Sequence, residues 1–224
     1  MNGNVVNEKE NIATTKKAHV QKKPLYEFFK RVFDVAVSLI VLIILFVPLL
    51  IVALVIVIDS PGASPLYMQK RVGKNGKEFK FYKFRSMVPN AESMLDSLLE
   101  KNEMDGPAFK MKDDPRITKF GHIIRKTCID ELPQLINVLK GDMSLVGPRP
   151  PLPREVEMYD EYQLQRLSVT PGLTCYWQVQ PQRNNISFDE WMECDIRYIE
   201  ERSFKIDLKI IFKTFGAVFG MEGI

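Results

Sequence analysis

The longest apolar stretch of the chain lies near its N-terminus, where residues 35–58 contain no charged side chain. As a helix this stretch would be about 36 Å long, which exceeds a bilayer hydrocarbon core of about 30 Å. Pro48 lies near its middle and would remove one backbone hydrogen bond and clash with the preceding turn, so we expect a kink there. The pattern therefore predicts a bent membrane segment.

The charged residues on the two sides of this segment have the same sign. Residues 1–31 hold seven Lys and Arg against three Glu, and residues 70–85 hold seven against one Glu. Because basic flanks face the cytoplasm, two of them favour a re-entrant hairpin whose ends are both cytoplasmic. A single spanning helix that tolerates the proline is the alternative.

Beyond this segment the pattern predicts an α/β body that is mostly helical and has one small β-ribbon. Residues 67–72 and 79–84 flank the turn residues Asn75 and Gly76, which indicates a hairpin. Apolar periodicity predicts further helices at residues 90–102, from 114 to about 126, and at 188–201. In the first of these the inward side chains would be Met94, Leu95, Leu98 and Leu99.

One more helical stripe follows, and it is closed by Gly141 in the position just past a helix C-terminus. Its members are Leu132, Leu135, Ile136 and Leu139, which places Asp130 at the helix start. Residues 170–185 are predicted to be a loop. Residues 206–219 are apolar and basic, so they are either a core helix or a helix in the membrane interface. In the second case a lipid-facing rim would be formed by Lys205, Lys209 and Lys213.

Length and composition narrow the class of protein. The 224 residues suffice for a flexible polar tail (1–24), the membrane segment (25–60) and one catalytic domain (61–224). The net charge of +3 is small, and no motif of a nucleic-acid reader occurs, so we expect no nucleic acid partner. The three cysteines lack a C-x-x-C spacing, which favours a reducing, cytosol-facing body.

The adjacent carboxylates of Asp130 and Glu131 are the first candidate for chemistry. Two neighbouring anions require a cation or a raised pKa to coexist, and a hard metal such as Mg²⁺ would supply that charge. Arg125 and Lys126 add positive charge just upstream. The alternative is that Asp130 only caps a helix and Glu131 is a solvated residue of the first turn.

Arg149 is the second candidate, because Pro148 and Pro150 restrict the backbone on both sides of it. A guanidinium held in one direction suits a phosphate, to which it can donate two hydrogen bonds. A surface arginine in a proline-rich connector is the alternative. Lys83 and Arg85 would lie on one strand face close to the membrane segment, where they bind either phosphate or the lipid interface.

These motifs together resemble the bacterial sugar transferase family, the small polyprenyl-phosphate phosphoglycosyl transferases. The resemblance runs from about residue 30 to residue 215. It rests on Lys83-Phe84-Arg85, Asp114-Pro115-Arg116, the 125–135 segment with its Asp-Glu pair, Leu145-Val146-Gly147-Pro148-Arg149-Pro150, Pro171-Gly172-Leu173-Thr174 and Trp177-Gln178.

The resemblance implies transfer of a phosphosugar from a UDP-sugar to undecaprenyl phosphate, with release of UMP and a requirement for Mg²⁺. It implies that Asp130 is the nucleophile and that Glu131 binds the metal. It also implies a monotopic protein on the inner leaflet of the cytoplasmic membrane, with a re-entrant helix broken by a Ser-Pro pair; here Val47 precedes Pro48. The residues assigned to substrate binding are Lys83, Arg85, Arg116, Arg125, Arg149, Gln178 and Arg183.

Two other functions stay open on sequence grounds. A hydrolase of lipid-linked diphosphates would use water in place of the lipid acceptor, and a non-catalytic membrane scaffold for polysaccharide assembly would show no turnover. The sugar is not specified by residue types, although residues 170–185 are expected to shape its pocket. Glucose or galactose is the first expectation and N-acetylated sugars are the alternative. A second copy of the chain is a candidate partner.

Overall fold

The computed structural model describes Ala18 and residues 20–180 and 186–219. The helices are α1 (Pro24–Ile44), α2 (Phe46–Asp59), α3 (Lys119–Lys126), α4 (Gln134–Lys140), α5 (Pro153–Val156), α6 (Glu161–Leu164), α7 (Phe188–Glu201) and α8 (Phe204–Phe219). The strands are β1 (Leu66–Val72), β2 (Glu78–Phe84), β3 (Ser144–Val146) and β4 (Gly172–Thr174). Short 3-10 turns occur at Lys74–Gly76, Asp96–Lys101, Ile129–Glu131, Gln165–Ser168 and Trp177–Val179. The described part of the chain is mostly helical, as predicted, and contains two small two-stranded sheets.

The predicted apolar segment, residues 35–58, lies in the second half of α1 and in α2, and the two helices meet at an angle of 65°. α1 ends at Ile44, four residues before Pro48. In a continuous helix the proline ring would clash with the carbonyl at that distance, so the break lies where the proline requires it. The predicted kink is confirmed. Within the described ranges no single helix is long and apolar enough to cross a membrane, whereas this bent pair meets the criterion together.

α1 has the reverse of the pattern expected for a helix in water. Its buried side chains are the polar Asp34 and Ser38. Many of the large apolar side chains of α1 and α2 are exposed, including Ile44 and Ile58 with 69% and 71% of their surface accessible. Apolar surface of this extent marks a contact with lipid or protein rather than with water.

Polar contacts attach α1 to the body of the protein. Asp34 accepts hydrogen bonds from the Ser144 hydroxyl at 2.7 Å and from the Leu145 N–H at 3.2 Å. Arg31 donates to the carbonyls of Val138 and Leu139 in the last turn of α4, the latter at 2.8 Å. One helical turn of α1 therefore holds both α4 and β3.

A second attachment joins α1 to α7 and α8. The buried carboxylate of Asp207 accepts hydrogen bonds from Tyr26, Lys30 and Tyr198, each at 2.8 Å. The Tyr198 hydroxyl oxygen also lies 3.1 Å from the carbonyl oxygen of Val146. These contacts bring three helices and β3 to one polar centre.

The predicted β-ribbon is confirmed. β1 and β2 pair antiparallel, with Leu66 opposite Phe84 and Val72 opposite Glu78. Asn75 and Gly76 have φ of 57° and 77° in the connecting turn, the conformation that Asn-Gly pairs favour.

A second sheet, in which β3 and β4 pair in parallel, was not predicted from the sequence. β4 and the turn Trp177–Val179 lie inside residues 170–185, so the prediction of an uninterrupted loop was wrong. The pairing depends on two glycines that approach each other closely. A Cβ atom on Gly172 would lie 2.0 Å from the backbone nitrogen of Gly147. Neither position has room for a side chain.

Two predicted helices differ from the observed ones. Residues 90–102 form turns and the 3-10 helix Asp96–Lys101, in which Leu98 is buried and Leu99 is 48% exposed. α3 begins at Lys119 rather than near residue 114, because the Thr118 side chain caps it by accepting from the Gly121 N–H. α7 matches the predicted span of 188–201, and the 206–219 stretch lies within α8.

Replacing Gly172 with Ala should destabilise the protein, because its Cβ would overlap backbone atoms that cannot move independently. We expect a loss of about 1–3 kcal/mol or more in the free energy of unfolding. Gly216→Ala is the matched control, since Gly216 lies in α8 and a Cβ there meets nothing within 4 Å. That change should stabilise by about 0.5–1 kcal/mol. Thermal unfolding of both variants checks this, and equal midpoints would contradict the close approach.

Candidate active site

Asp130 and Glu131 lie in a 3-10 turn between α3 and α4. Cys128 precedes them with φ of 56° and ψ of 16°, a left-handed conformation that ends α3 and redirects the chain. α4 itself begins at Gln134 after Pro133, so the prediction that Asp130 starts this helix was wrong. The carboxylates are placed by a turn between two helices rather than by a helix cap.

Glu131 is held by two cations from different parts of the chain. Its Oε1 atom lies 2.7 Å from Lys83 Nζ and 3.3 Å from Arg149 Nη1. Lys83 is also 3.7 Å from Asp130 Oδ2. The structure therefore brings together four of the residues singled out from the sequence.

The two carboxylates have opposite pKa shifts. Burial raises the pKa of Asp130 above its usual range, against the charge of Lys83, and the charge of Glu131 raises it further. Burial also disfavours ionised Glu131, but Lys83 and Arg149 outweigh it and lower the pKa of Glu131 to about 2. Glu131 is thus a fixed anion at neutral pH.

Asn137 on α4 sets the position of β2 relative to the carboxylates. Its side chain accepts from the Tyr82 N–H at 3.1 Å and donates to the Lys80 carbonyl at 2.6 Å. It is fully buried, so these backbone groups have little competition from water. Through this contact Lys83, one residue beyond Tyr82, is aligned with the turn that carries Glu131.

Arg71 belongs to the same group of charges and was missed as a site residue. It donates to the carbonyl of Pro150 at 3.0 Å. Burial and the neighbouring charge of Arg149 lower the pKa of Arg71 to about 10, so it remains a cation. The alternation of β1 was the available signal, because it places Arg71 on the face opposite Lys70. The sequence alone did not show which face of β1 lies next to Arg149.

The other predicted arginines have different surroundings. Arg125 is close enough to Asp130 for its charge to lower the pKa of that carboxyl. Arg116 forms a buried ion pair with Asp114 at 2.6 Å. Arg85 donates to the Ser64 carbonyl at 2.8 Å and so takes a partner other than the two carboxylates. A substrate contact by Arg116 or Arg85 stays a prediction.

Gln178 is buried beside Cys175, whose thiol lies 3.4 Å from its Oε1 atom. Cys175 in turn is near enough to Arg149 to influence its pKa. Gln178 therefore contacts a neighbour of Arg149, which is one of the cations of the site. Arg183 lies outside the described residues.

The donor set can be compared with the needs of a divalent cation. Within the described ranges no three His, Cys, Asp or Glu side chains group together as a metal site. Mg²⁺ commonly takes only one or two carboxylates and completes its shell with water and substrate phosphates. Lys83 and Arg149 both contact Oε1 of Glu131, so the other oxygen of this carboxylate is the one that would face a metal ion. The chemistry of the adjacent carboxylates therefore fits such a site.

Comparison with known proteins shows where this arrangement belongs. The sequence model of the bacterial sugar transferase family matches residues 25–221. The chain belongs to this family. The match includes the bent helix pair from residue 25 onward, both carboxylates and all four of the cations Lys83, Arg71, Arg125 and Arg149. The family resemblance inferred from the motifs is confirmed.

Several relatives are much longer than this chain. A galactosyl transferase of Streptococcus agalactiae is 49% identical over 84% of the chain and 42% of its own length. An undecaprenyl-phosphate galactose phosphotransferase of Salmonella typhimurium is 44% identical over 88% of the chain and 41% of its own length. An exopolysaccharide production protein of Sinorhizobium fredii is 40% identical, with 88% of both chains covered. The chain thus spans about two fifths of the first two and most of the third.

The left-handed backbone of Cys128 generates a prediction about the turn. Cys128→Val should lower the free energy of unfolding by about 1–2 kcal/mol relative to Cys128→Gly, because a β-branched side chain is strained at positive φ and glycine is not. Denaturant unfolding of the two variants measures the difference. Cys194→Val against Cys194→Gly is the control, since Cys194 lies inside α7, where valine should be the more stable. The same order at both positions would contradict the strained turn.

Proposed function

We propose that the protein transfers a phosphosugar from a UDP-sugar to undecaprenyl phosphate and releases UMP, as an initiating step of surface or exopolysaccharide assembly. The observation that carries the proposal is the buried carboxylate of Asp130 beside a fixed anion and a cluster of cations. Names of relatives support it, among them the undecaprenyl-phosphate galactose phosphotransferase and a UDP-galactose-lipid carrier transferase of Erwinia amylovora.

The cluster of positive charges around Asp130 and Glu131 suits a phosphoryl group that is being transferred. Arg71 comes from β1, Lys83 from β2 and Arg149 from the segment after β3, and Arg125 adds a charge from α3. Preorganised cations of this kind stabilise the charge on the equatorial oxygens of a transferring phosphoryl group. Because Glu131 neutralises only part of this charge, an anionic diphosphate would complete the balance.

The proposed reaction has two displacements. An Asp130 oxygen attacks the sugar-bearing phosphorus of the UDP-sugar, the bond from that phosphorus to the bridging oxygen breaks, and UMP leaves with the bond electrons. A phosphate oxygen of undecaprenyl phosphate then attacks the same phosphorus, and the Asp130 carboxylate is released unchanged. A covalent intermediate of this type divides one difficult transfer into two easier steps.

We propose Glu131 as a ligand for Mg²⁺. A bound Mg²⁺ would neutralise charge on the diphosphate oxygens and orient them. Glu131 suits this role because its pKa of about 2 keeps it ionised at every physiological pH. Lys83 and Arg149 hold its carboxylate in place by their contacts to Oε1.

We further propose that α1 and α2 form a re-entrant hairpin in the inner leaflet, with the catalytic body in the cytoplasm. The 65° bend and the two basic flanks support this arrangement. The exposed apolar side chains of both helices would lie in lipid, while the polar side of α1 faces the protein through Asp34. The site would then lie near the headgroup plane, where a lipid phosphate can reach it.

The sugar can be identified by turnover. Relatives are named for galactose and for N-acetylgalactosamine, the latter from Aeromonas hydrophila. UMP release should be measured with UDP-galactose, UDP-glucose and UDP-N-acetylgalactosamine, each with and without undecaprenyl phosphate. Sustained UMP release that requires the lipid supports the transferase, whereas sustained release with water alone indicates a hydrolase. No release from any donor in a wider panel would favour a scaffold.

The covalent step gives a sharp prediction for Asp130. Enzyme incubated with Mg²⁺ and its UDP-sugar, without lipid, should release UMP and gain the mass of a phosphosugar on Asp130 after acid quench. Asp130→Asn has nearly the same volume and a poor nucleophile, so it should remain folded and lose both adduct and turnover. Glu131→Gln should retain slow adduct formation and show weaker Mg²⁺ dependence. Appreciable turnover by Asp130→Asn would favour direct attack by the lipid phosphate.

The topology is testable with single cysteines introduced at positions 20 and 75. If the hairpin is correct, an impermeant thiol reagent should label neither position in intact cells and both in permeabilised cells. The wild-type chain gives the baseline for its three native cysteines. Labelling of position 20 alone in intact cells would establish a crossing helix.

A further inference from the structure

The segment that carries Arg149 is held through its carbonyl groups. Three of residues 148–151 are prolines, which have no N–H to donate. All four carbonyls nevertheless have a donor. Pro148 accepts from the Gly172 N–H, Arg149 from Arg166, Pro150 from Arg71 and Pro151 from the Val72 N–H, at distances of 2.9, 2.9, 3.0 and 2.9 Å.

Two of these donors are side chains, and Arg166 is the buried one. Only 2% of its surface is accessible. Its Nη2 atom donates to the Arg149 carbonyl and lies 2.6 Å from Asp195 Oδ2, while Nη1 donates to the Tyr159 hydroxyl at 2.7 Å. The guanidinium also lies 5.2 Å from the ring centre of Trp191. Such a side chain cannot also reach a substrate.

Asp195 on α7 is the counter-ion of Arg166, and 1% of each side chain is accessible. Burying two charges costs desolvation that their attraction barely offsets, and apolar replacements are often as stable. Stability alone therefore does not account for this pair. Its distinguishing contact is the one to the backbone carbonyl of Arg149, the residue whose guanidinium contacts Glu131.

We infer that Arg166, oriented by Asp195, is a positioning residue that holds the Arg149 backbone so that the Arg149 guanidinium is aimed at the phosphate site. The inference rests on the proposed function, in which Arg149 binds the transferring phosphoryl group. The line of contacts runs from Asp195 to Arg166, then to the Arg149 carbonyl, and through the Arg149 side chain to Glu131. Misplacement of a charge by about 1 Å is enough to slow a reaction about a hundredfold.

The test is a double-mutant cycle in the whole 224-residue chain in membranes, with UMP release from the preferred UDP-sugar as the readout. Arg166→Lys keeps the charge beside Asp195 but loses the fork that reaches Arg149 and Tyr159 together. We expect kcat/KM to fall by at least about tenfold. Tyr159→Phe is the matched control, because it removes a different contact of Arg166 and should change kcat/KM by less than about twofold.

The cycle is completed by measuring Arg166→Lys in an Arg149→Lys background. If Arg166 acts through the Arg149 fork, it should have little further effect there, and the two losses should be strongly non-additive. Asp195→Asn, which keeps its shape and loses its charge, should follow the same pattern and serves if Arg166→Lys does not fold. Thermal unfolding of every variant distinguishes a loss of stability from a misoriented Arg149 guanidinium.

Equal losses in both backgrounds would overturn the inference, because they indicate a general structural role. No loss with either variant in the native background would overturn it as well. A normal kcat/KM in Arg149→Lys alone would instead contradict the role of Arg149 in the proposed function. Failure of the inference is thereby distinguished from failure of the function on which it rests.

Discussion

The carboxylate of Glu131 is the point at which separate parts of the fold meet. Lys83 arrives from the β-ribbon and Arg149 from the segment after β3, and both contact the same oxygen. Either cation alone would leave more uncompensated charge at a half-buried position, which is costly. The ribbon, the turn before α4 and the proline-rich segment must therefore dock together. Asn137 and the donors to residues 148–151 make that docking specific.

Two neighbouring carboxylates receive different properties from this arrangement. Glu131 has both strong cation contacts and a lowered pKa, whereas Asp130 is buried with one cation at 3.7 Å and has a raised pKa. Environments that move two carboxyl pKa values apart commonly accompany two chemical roles. The left-handed Cys128 supports the same turn, since it lets the chain leave α3 and present the pair within three residues.

The apolar helices are coupled to this centre by polar side chains. Arg31 binds the end of α4, which follows the carboxylates, and Asp34 binds β3, which precedes Arg149. A helix that buries polar groups and exposes apolar ones has a defined rotation about its axis, because only one face can satisfy the protein. The exposed face of α1 and the orientation of the site are consequently linked through one helical turn.

Some features are encoded by neighbouring residues and were predictable from the chain alone: the bend before Pro48, the Asn-Gly hairpin, α7 and the Asp-Glu pair with its nearby arginines. Periodicity, turn residues and motif spacing are local, so these predictions needed no knowledge of packing. Other features became apparent only from the packing: β3 pairs with β4, Arg71 lies near Arg149 and Arg116 is buried against Asp114. The packing also shows that Arg166 and Asp195 support the Arg149 backbone. Most of these contacts join residues distant in the chain, and all depend on which faces become buried, which no local pattern specifies.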